Sequence, residues 1–163
     1  TNNYLSINGY AIPTTKANMS VFIDLFGNPS RKENALKSMP QSNNIYTYDE
    51  LGIYLYQSQK SKKISSIAIA FSHDDFSPDA PADSNLPEKL RFSPEELFTG
   101  ILTIDGKSIT STITKNELKS RFPNRTLFED YGIFNTFHIG EVKIYFDFFG
   151  KGNTLSGLSI SLN

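Results

Sequence analysis

IYLYQSQKSKKISSIAIAF, residues 53–71, holds two alternating apolar and polar runs around a polar, lysine-bearing centre, the pattern of a β-hairpin. A second stretch, IYFDFFGKGNTLSGLSISL at residues 144–162, repeats it. Aligned without a gap, both begin Ile-Tyr and share a turn lysine (Lys60, Lys151), a serine (Ser65, Ser156) and an isoleucine (Ile69, Ile160). Parity assigns the faces. Ile64, Ile67, Ile69 and Phe71, with Leu155, Leu158, Ile160 and Leu162, form an apolar face, and Ala68, Ala70, Ser159 and Ser161 take the alternate positions. On the preceding strands Ile53, Leu55, Ile144 and Phe146 belong to the core face, which leaves Tyr54, Tyr56, Tyr145 and Asp147 on the other.

The echo extends upstream. LSINGYAI at residues 5–12 matches LTIDGKSI at 102–109, each a short apolar alternation broken by Asn-Gly or Asp-Gly, dipeptides suited to tight turns. A short helix follows in each. In the first, Met19, Phe22, Ile23 and Phe26 lie on one side, with Asn18 as N-cap and Gly27 as stop. In the second, Thr114 and Glu117 make a capping box, Leu118 and Phe122 form the stripe, and Pro123 ends it. Further strands are expected at 44–48 and 134–139. The expected fold is α+β: two tandem β-α-β-β-β repeats building antiparallel sheet, with one short helix per repeat packed on a face. The domain boundaries that follow are 1–72, a linker at 73–97, and 98–163, together one compact unit.

The linker is acidic and proline-rich. From His73 to Glu96 seven acids stand against Lys89 and Arg91, a net of −5, so the rest of the chain carries +4 of the overall −1. Within the linker Ser93, Pro94 and Glu96 suggest one turn of helix. A near-neutral chain lacks the basic excess of a nucleic-acid binder, so that partner class is not expected.

At 163 residues with 38% hydrophobic content, 13 Phe and 8 Tyr, the chain can build a real core without a cysteine or a disulfide. No apolar run approaches the roughly 18 residues of a membrane span. The start TNNYLSING has no leader pattern and Thr1 permits removal of an initiator Met, so the expected compartment is the cytoplasm, or the periplasm if a signal peptide has been cleaved.

No residue set supplies an obvious reaction. His73 beside Asp74 and Asp75 lacks further ligands at metal spacing, and His138 lies in an alternating strand with no nucleophile to activate. FGKGNTLSG has the glycines and lysine of a phosphate loop, but not its spacing, and it precedes a strand. The pairs Asp49-Glu50 and Glu129-Asp130 would serve a glycosidase only in a cleft that raises the pKa of one member. No enzyme activity, cofactor or metal is therefore expected. What remains is a surface: Tyr54, Tyr56, Tyr145 and Asp147 on one sheet face, and Asp74, Asp75 and Asp79 in the linker to steer a basic partner. Cross-strand tyrosine pairing that only stabilises the sheet would give the same pattern.

The strand with Asn8-Gly9, the helix end FGNPSR at 26–31, and NIYTYDELGIY at 44–54 before the lysine-rich turn resemble a family of small bacterial proteins of uncharacterised domain type. The resemblance covers Tyr4–Phe71 and again Phe98 onward. Members are found beside secreted antibacterial toxins as immunity proteins, which implies a non-enzymatic protein that binds a cognate toxin and blocks its active site. At the level of architecture the duplicated α+β pattern is also similar to the tandem-repeat β-lactamase inhibitor protein. The alternative is a small-ligand-binding or cell-envelope scaffold module with an enclosed pocket between the repeats. The oligomeric state is left open.

Overall fold

Asn8-Gly9 and Asp105-Gly106 all take positive φ (53° and 82°; 50° and 77°), the conformation of a two-residue hairpin turn. Each joins two strands: β1 (Leu5–Ile7) to β2 (Tyr10–Ala11), and β8 (Leu102–Ile104) to β9 (Lys107–Ile109). The computed structural model describes residues 4–34, 44–72, 94–130 and 134–163. In it these hairpins form a four-stranded sheet in the order β2-β1-β8-β9, with Ser6 opposite Thr103 at its centre.

Helix α1 (Met19–Phe26) buries Phe22 completely, and Gly27 closes it by donating its N–H to Ile23 O at 2.8 Å. Asn18 stands at the N-cap but its side chain makes no capping bond. Its backbone instead belongs to β3 (Ala17–Asn18), paired with Lys63 and Ile64, and that pairing fixes where the helix begins. Helix α2 (Lys115–Arg121) carries the expected capping box between Thr114 and Glu117 and buries Leu118.

The larger sheet continues with β4 (Arg31–Asn34), β5 (Asn44–Tyr48), β6 (Ile53–Gln57), β7 (Lys63–Ala70), β10 (Phe128–Asp130), β11 (Phe134–Ile139), β12 (Val142–Asp147) and β13 (Gly157–Ser161). Its order is β10-β11-β12-β13-β7-β6-β5-β4, with β3 also on β7, nine antiparallel strands among the described residues. The fold is thus α+β, mostly antiparallel sheet with two short helices. The β-α-β-β-β order expected from sequence is too short. It omits β2 and β9, whose two or three residues are too few for a periodic signal, and the charged edge strands β4 and β10. It omits β3 as well, and β1 and β8, whose sheet it left open, form a sheet of their own with β2 and β9.

Parity along the hairpins holds with one irregularity. The register of β6 on β7 shifts between Tyr56 and Gln57, which inserts Ser65 as an extra residue and explains why Ile64 and Ile67 are three apart. Ser65 Oγ ties the bulge by donating to Tyr56 O at 3.3 Å, and Ser156 Oγ donates likewise to Asp147 O at 2.9 Å. Ile53, Leu55, Ile67, Ile69, Ile144, Phe146, Leu158 and Ile160 are buried on one face of the sheet. They join Leu5, Ile7, Leu102 and Ile104 from the small sheet, and Phe22 and Leu118 from the helices, in a single apolar cluster. The opposite face of the large sheet lies away from this core.

The segment from Pro94 onward contains no helix up to Gly100, contrary to the turn expected there; Ser93 lies outside the described residues. It bends at Glu95 and Glu96 and is pinned by backbone hydrogen bonds. Asp49 O accepts from Glu96 N at 2.9 Å, and Ala70 O accepts from Phe98 N at 2.8 Å. Phe98 packs edge-on against Phe71, with 5.6 Å between ring centroids.

Candidate functional site

The face opposite the core is built by alternation, so its rows follow from the strand registers. One row runs Arg31, Thr47, Tyr54, Ala68, Ser159, Tyr145, Thr136. The next runs Glu33, Ile45, Tyr56, Ser66, Ser161, Lys143, His138. Ala70, Gly157 and Asp147 form a third, short row. Four residues expected to share this face, Tyr54, Tyr56, Tyr145 and Asp147, therefore do share it, and all are half-buried. Asp74, Asp75 and Asp79 lie outside the described residues.

The relief of this face comes from residue size. The two central strands contribute small side chains, Ser66, Ala68, Ala70, Gly157, Ser159 and Ser161, with Ser66 and Ser159 hydroxyls 3.2 Å apart. On one side Tyr54 and Tyr56 pack with centroids 5.6 Å apart. On the other, Lys143 Nζ sits 5.2 Å from the centroid of the Tyr145 ring. Strands β6 and β12 are three spacings apart, about 14 Å at 4.8 Å per strand. Small side chains thus run along the middle of this face between the Tyr54–Tyr56 pair and Tyr145 with Lys143, a relief we call the trough, while Thr47, Ala68 and Thr136 of the first row and Ile45 of the second are buried. Lys143 was not singled out by sequence, although its i−2 spacing from Tyr145 places it on the same face.

Charge at the trough's outer edge is organised around Asp49. Its carboxylate accepts from Arg31 Nε at 3.0 Å and Nη2 at 3.1 Å, and from the backbone N–H of Glu95 at 3.1 Å. Ser30 Oγ accepts from the Asp49 N–H at 2.9 Å. The hydrogen bond to Asp49 raises the Arg31 pKa above its ordinary value, partly offset by burial. Asp49 thus ties β4 and the returning segment at Pro94 to the β5–β6 turn. Glu50 beside it is exposed. Glu129 and Asp130 lie on edge strand β10, with their side chains outside the described set. Burial pushes the Tyr48 phenol up to about 12, and its hydroxyl donates to Gly27 O at 2.9 Å.

His138 is exposed on the same face, opposite Lys143, while its carbonyl accepts from Arg125 Nη1 at 3.1 Å. His73 lies outside the described residues. Gly150–Asn153 form the β12–β13 turn, Gly152 and Asn153 taking positive φ (73° and 60°), so the phosphate-loop-like sequence is a hairpin end. Among the described residues, no group of three or more His, Cys, Asp or Glu is placed to hold a metal, and no helix is long and apolar enough to cross a membrane.

Comparison with known proteins yields a family. The domain of unknown function DUF7738 matches residues 1–119, well over half the chain, and the chain belongs to that family. No curated protein matches. Among solved structures, a cysteine-rich secretory protein from Staphylococcus aureus is similar at 14% identity and a TM-score of 0.41. The match covers 92% of this chain but 45% of that one, so the chain spans less than half of that structure.

Proposed function

We propose that this DUF7738 protein is a non-enzymatic immunity protein, which binds a cognate secreted antibacterial toxin over the outer sheet face and blocks its active site. The observation that carries the reading is the trough itself. Tyr54, Tyr56 and Tyr145 offer rigid, amphipathic contact area at little entropic cost, while the small floor lets a partner's backbone approach closely. The resemblance of the Asn8-Gly9, FGNPSR and NIYTYDELGIY segments to toxin-adjacent proteins supplies the class of partner. Co-purification with the toxin encoded beside this gene tests it: a stable complex is expected, and no complex with any neighbouring gene product contradicts it.

The trough straddles two halves, which we infer to be tandem copies occupying 1–72 and 98–163. Several hydrogen bonds support duplication because they occur in two-fold-related pairs. Leu162 N donates to Ser65 O at 2.9 Å, and Phe71 N to Ser156 O at 2.8 Å. Asn8 N donates to Ile101 O at 2.8 Å, and Asp105 N to Tyr4 O at 2.7 Å. The β7–β13 and β1–β8 pairings are the axes of these exchanges. A fused pair of this kind presents a continuous nine-stranded face wider than either half alone.

A further inference from the structure

An edge strand offers its outward backbone groups to any other strand, and charge is a common guard against that. The two sheets end on β4, β10, β9 and β2. β4 reads Arg-Lys-Glu-Asn, and β10 carries Glu129 and Asp130. β9 is held by α2. Lys107 Nζ donates to Arg121 O and lies 5.1 Å from the centroid of the Phe122 ring. Arg121 Nη1 in turn donates to Ser108 O, the carbonyl that β9 turns away from β8. β2 differs: Tyr10 and Ala11 carry no charge and both are exposed, Tyr10 at 61%.

Matching positions show which side chains differ. Tyr10 follows Asn8-Gly9 as Lys107 follows Asp105-Gly106. The N-caps Asn18 and Thr114 also correspond, since Asn18 pairs with Lys63 after the β6–β7 turn and Thr114 bridges to Thr154 after the β12–β13 turn. Counting equally from those caps, Leu25 of α1 stands where α2 has Arg121. A tyrosine thus takes the place of the strand lysine, and a leucine that of the arginine which holds the edge carbonyl. Val21, one turn before Leu25, is exposed as well. The hairpin fixes which backbone groups face out. Ile12 N donates inward to Leu5 O at 3.0 Å and Tyr10 stands opposite Ile7 at the turn, so Ala11 between them directs its N–H and C=O away from β1. Pro13, without an N–H, ends the open stretch.

We propose that β2 is the contact of a homodimer, in which β2 of one copy pairs antiparallel with β2 of a second across a two-fold axis at Ala11. The pairing is self-complementary: each Ala11 N–H meets the other copy's C=O, and Tyr10, Val21 and Leu25 of both copies flank it. It repeats between chains what the fold already does within one, where the matching hairpins meet antiparallel with Ser6 opposite Thr103. A neutral edge selects no charged partner, and a two-fold doubles every contact that one copy offers. The small sheet lies across the core from the trough, so a dimer leaves both troughs open, and failure of the dimer leaves the toxin-binding reading untouched. Sedimentation velocity of the full chain over about a hundredfold range of concentration should show dimer in reversible exchange with monomer. Ala11→Pro removes only the outward donor, at an edge where proline is tolerated, and Leu25→Arg restores the side chain of the other half. Each should keep the thermal midpoint and raise the dimer dissociation constant at least about tenfold. The chain has no cysteine, and the Cα atoms of a hydrogen-bonded antiparallel pair lie about 5.5 Å apart, within disulfide reach. An Ala11→Cys protein should therefore cross-link to itself under mild oxidation, and Ser108→Cys, at the matching place on β9, much more slowly. A chain that stays monomeric at every concentration, a dimer undiminished in the folded Ala11→Pro or Leu25→Arg protein, or Ser108→Cys cross-linking as fast as Ala11→Cys overturns the proposal.

Discussion

At the scale of single residues, Asp49 holds three parts of the chain together. Replacing it with Ala removes the bidentate acceptor of Arg31, which keeps Glu33, and the acceptor of the exposed Glu95 N–H, so Asp49→Ala should cost about 1–2 kcal/mol in urea unfolding. Gly52 is constrained more sharply: its φ is 69°, and an added Cβ would stand 2.1 Å from Phe98 N. Gly52→Ala should therefore release the segment at Pro94–Phe98 and cost more than about 2 kcal/mol, read as a lowered thermal midpoint. Tyr48 gives a pH signature. Its phenol is raised from 10 to about 12 in the folded chain, so above pH 10 the unfolded chain ionises first. Stability is then lost as pH climbs from 10 towards 12, on the order of 1 kcal/mol, and is unaffected below 10. Tyr48→Phe should flatten that alkaline decline while costing about 1 kcal/mol at neutral pH through the lost bond to Gly27 O. None of these roles was legible in sequence, because each depends on a partner many positions away.

At the scale of elements, the hairpins were legible and the edges were not. Ile53, Leu55, Ile67 and Ile69 alternate over enough residues to fix their own face, and the same holds for Ile144, Phe146, Leu158 and Ile160. Thr114 and Glu117 announced α2 because a capping box is local chemistry. In contrast β4, with the sequence RKEN, carries no apolar alternation at all, since an edge strand is kept soluble by charge. The return of Phe98 to Ala70 was equally hidden, yet it has a consequence for the linker. Because the chain leaves β7 and comes back to it, replacing residues 75–90 with a short Gly/Ser link closes a smaller loop and should keep the thermal midpoint within a few degrees or raise it. Circular dichroism melts check this. If the acids removed with that segment steer the partner, association should slow and lose its salt dependence while the dissociation rate holds.

At the scale of the whole molecule, two small hairpins pair at β1–β8 and two meanders pair at β7–β13, so one core serves two sheets and leaves one broad face outside it. Sequence parity placed Tyr54, Tyr56, Tyr145 and Asp147 on that face, but it could not show that Ser159 and Ala68 bring Tyr54 and Tyr145 into one row, because that requires knowing which strands meet. On the proposed function, the trough grips a toxin. Isothermal titration of the toxin encoded beside this gene against the full chain, and against a Tyr54→Ala/Tyr145→Ala double variant with an unchanged melting midpoint, tests it most directly. Tight binding that weakens by at least about 100-fold, or roughly 2.7 kcal/mol, in the variant is the expected result. Binding unaffected by the two substitutions, or no binding by the unaltered chain, would contradict it.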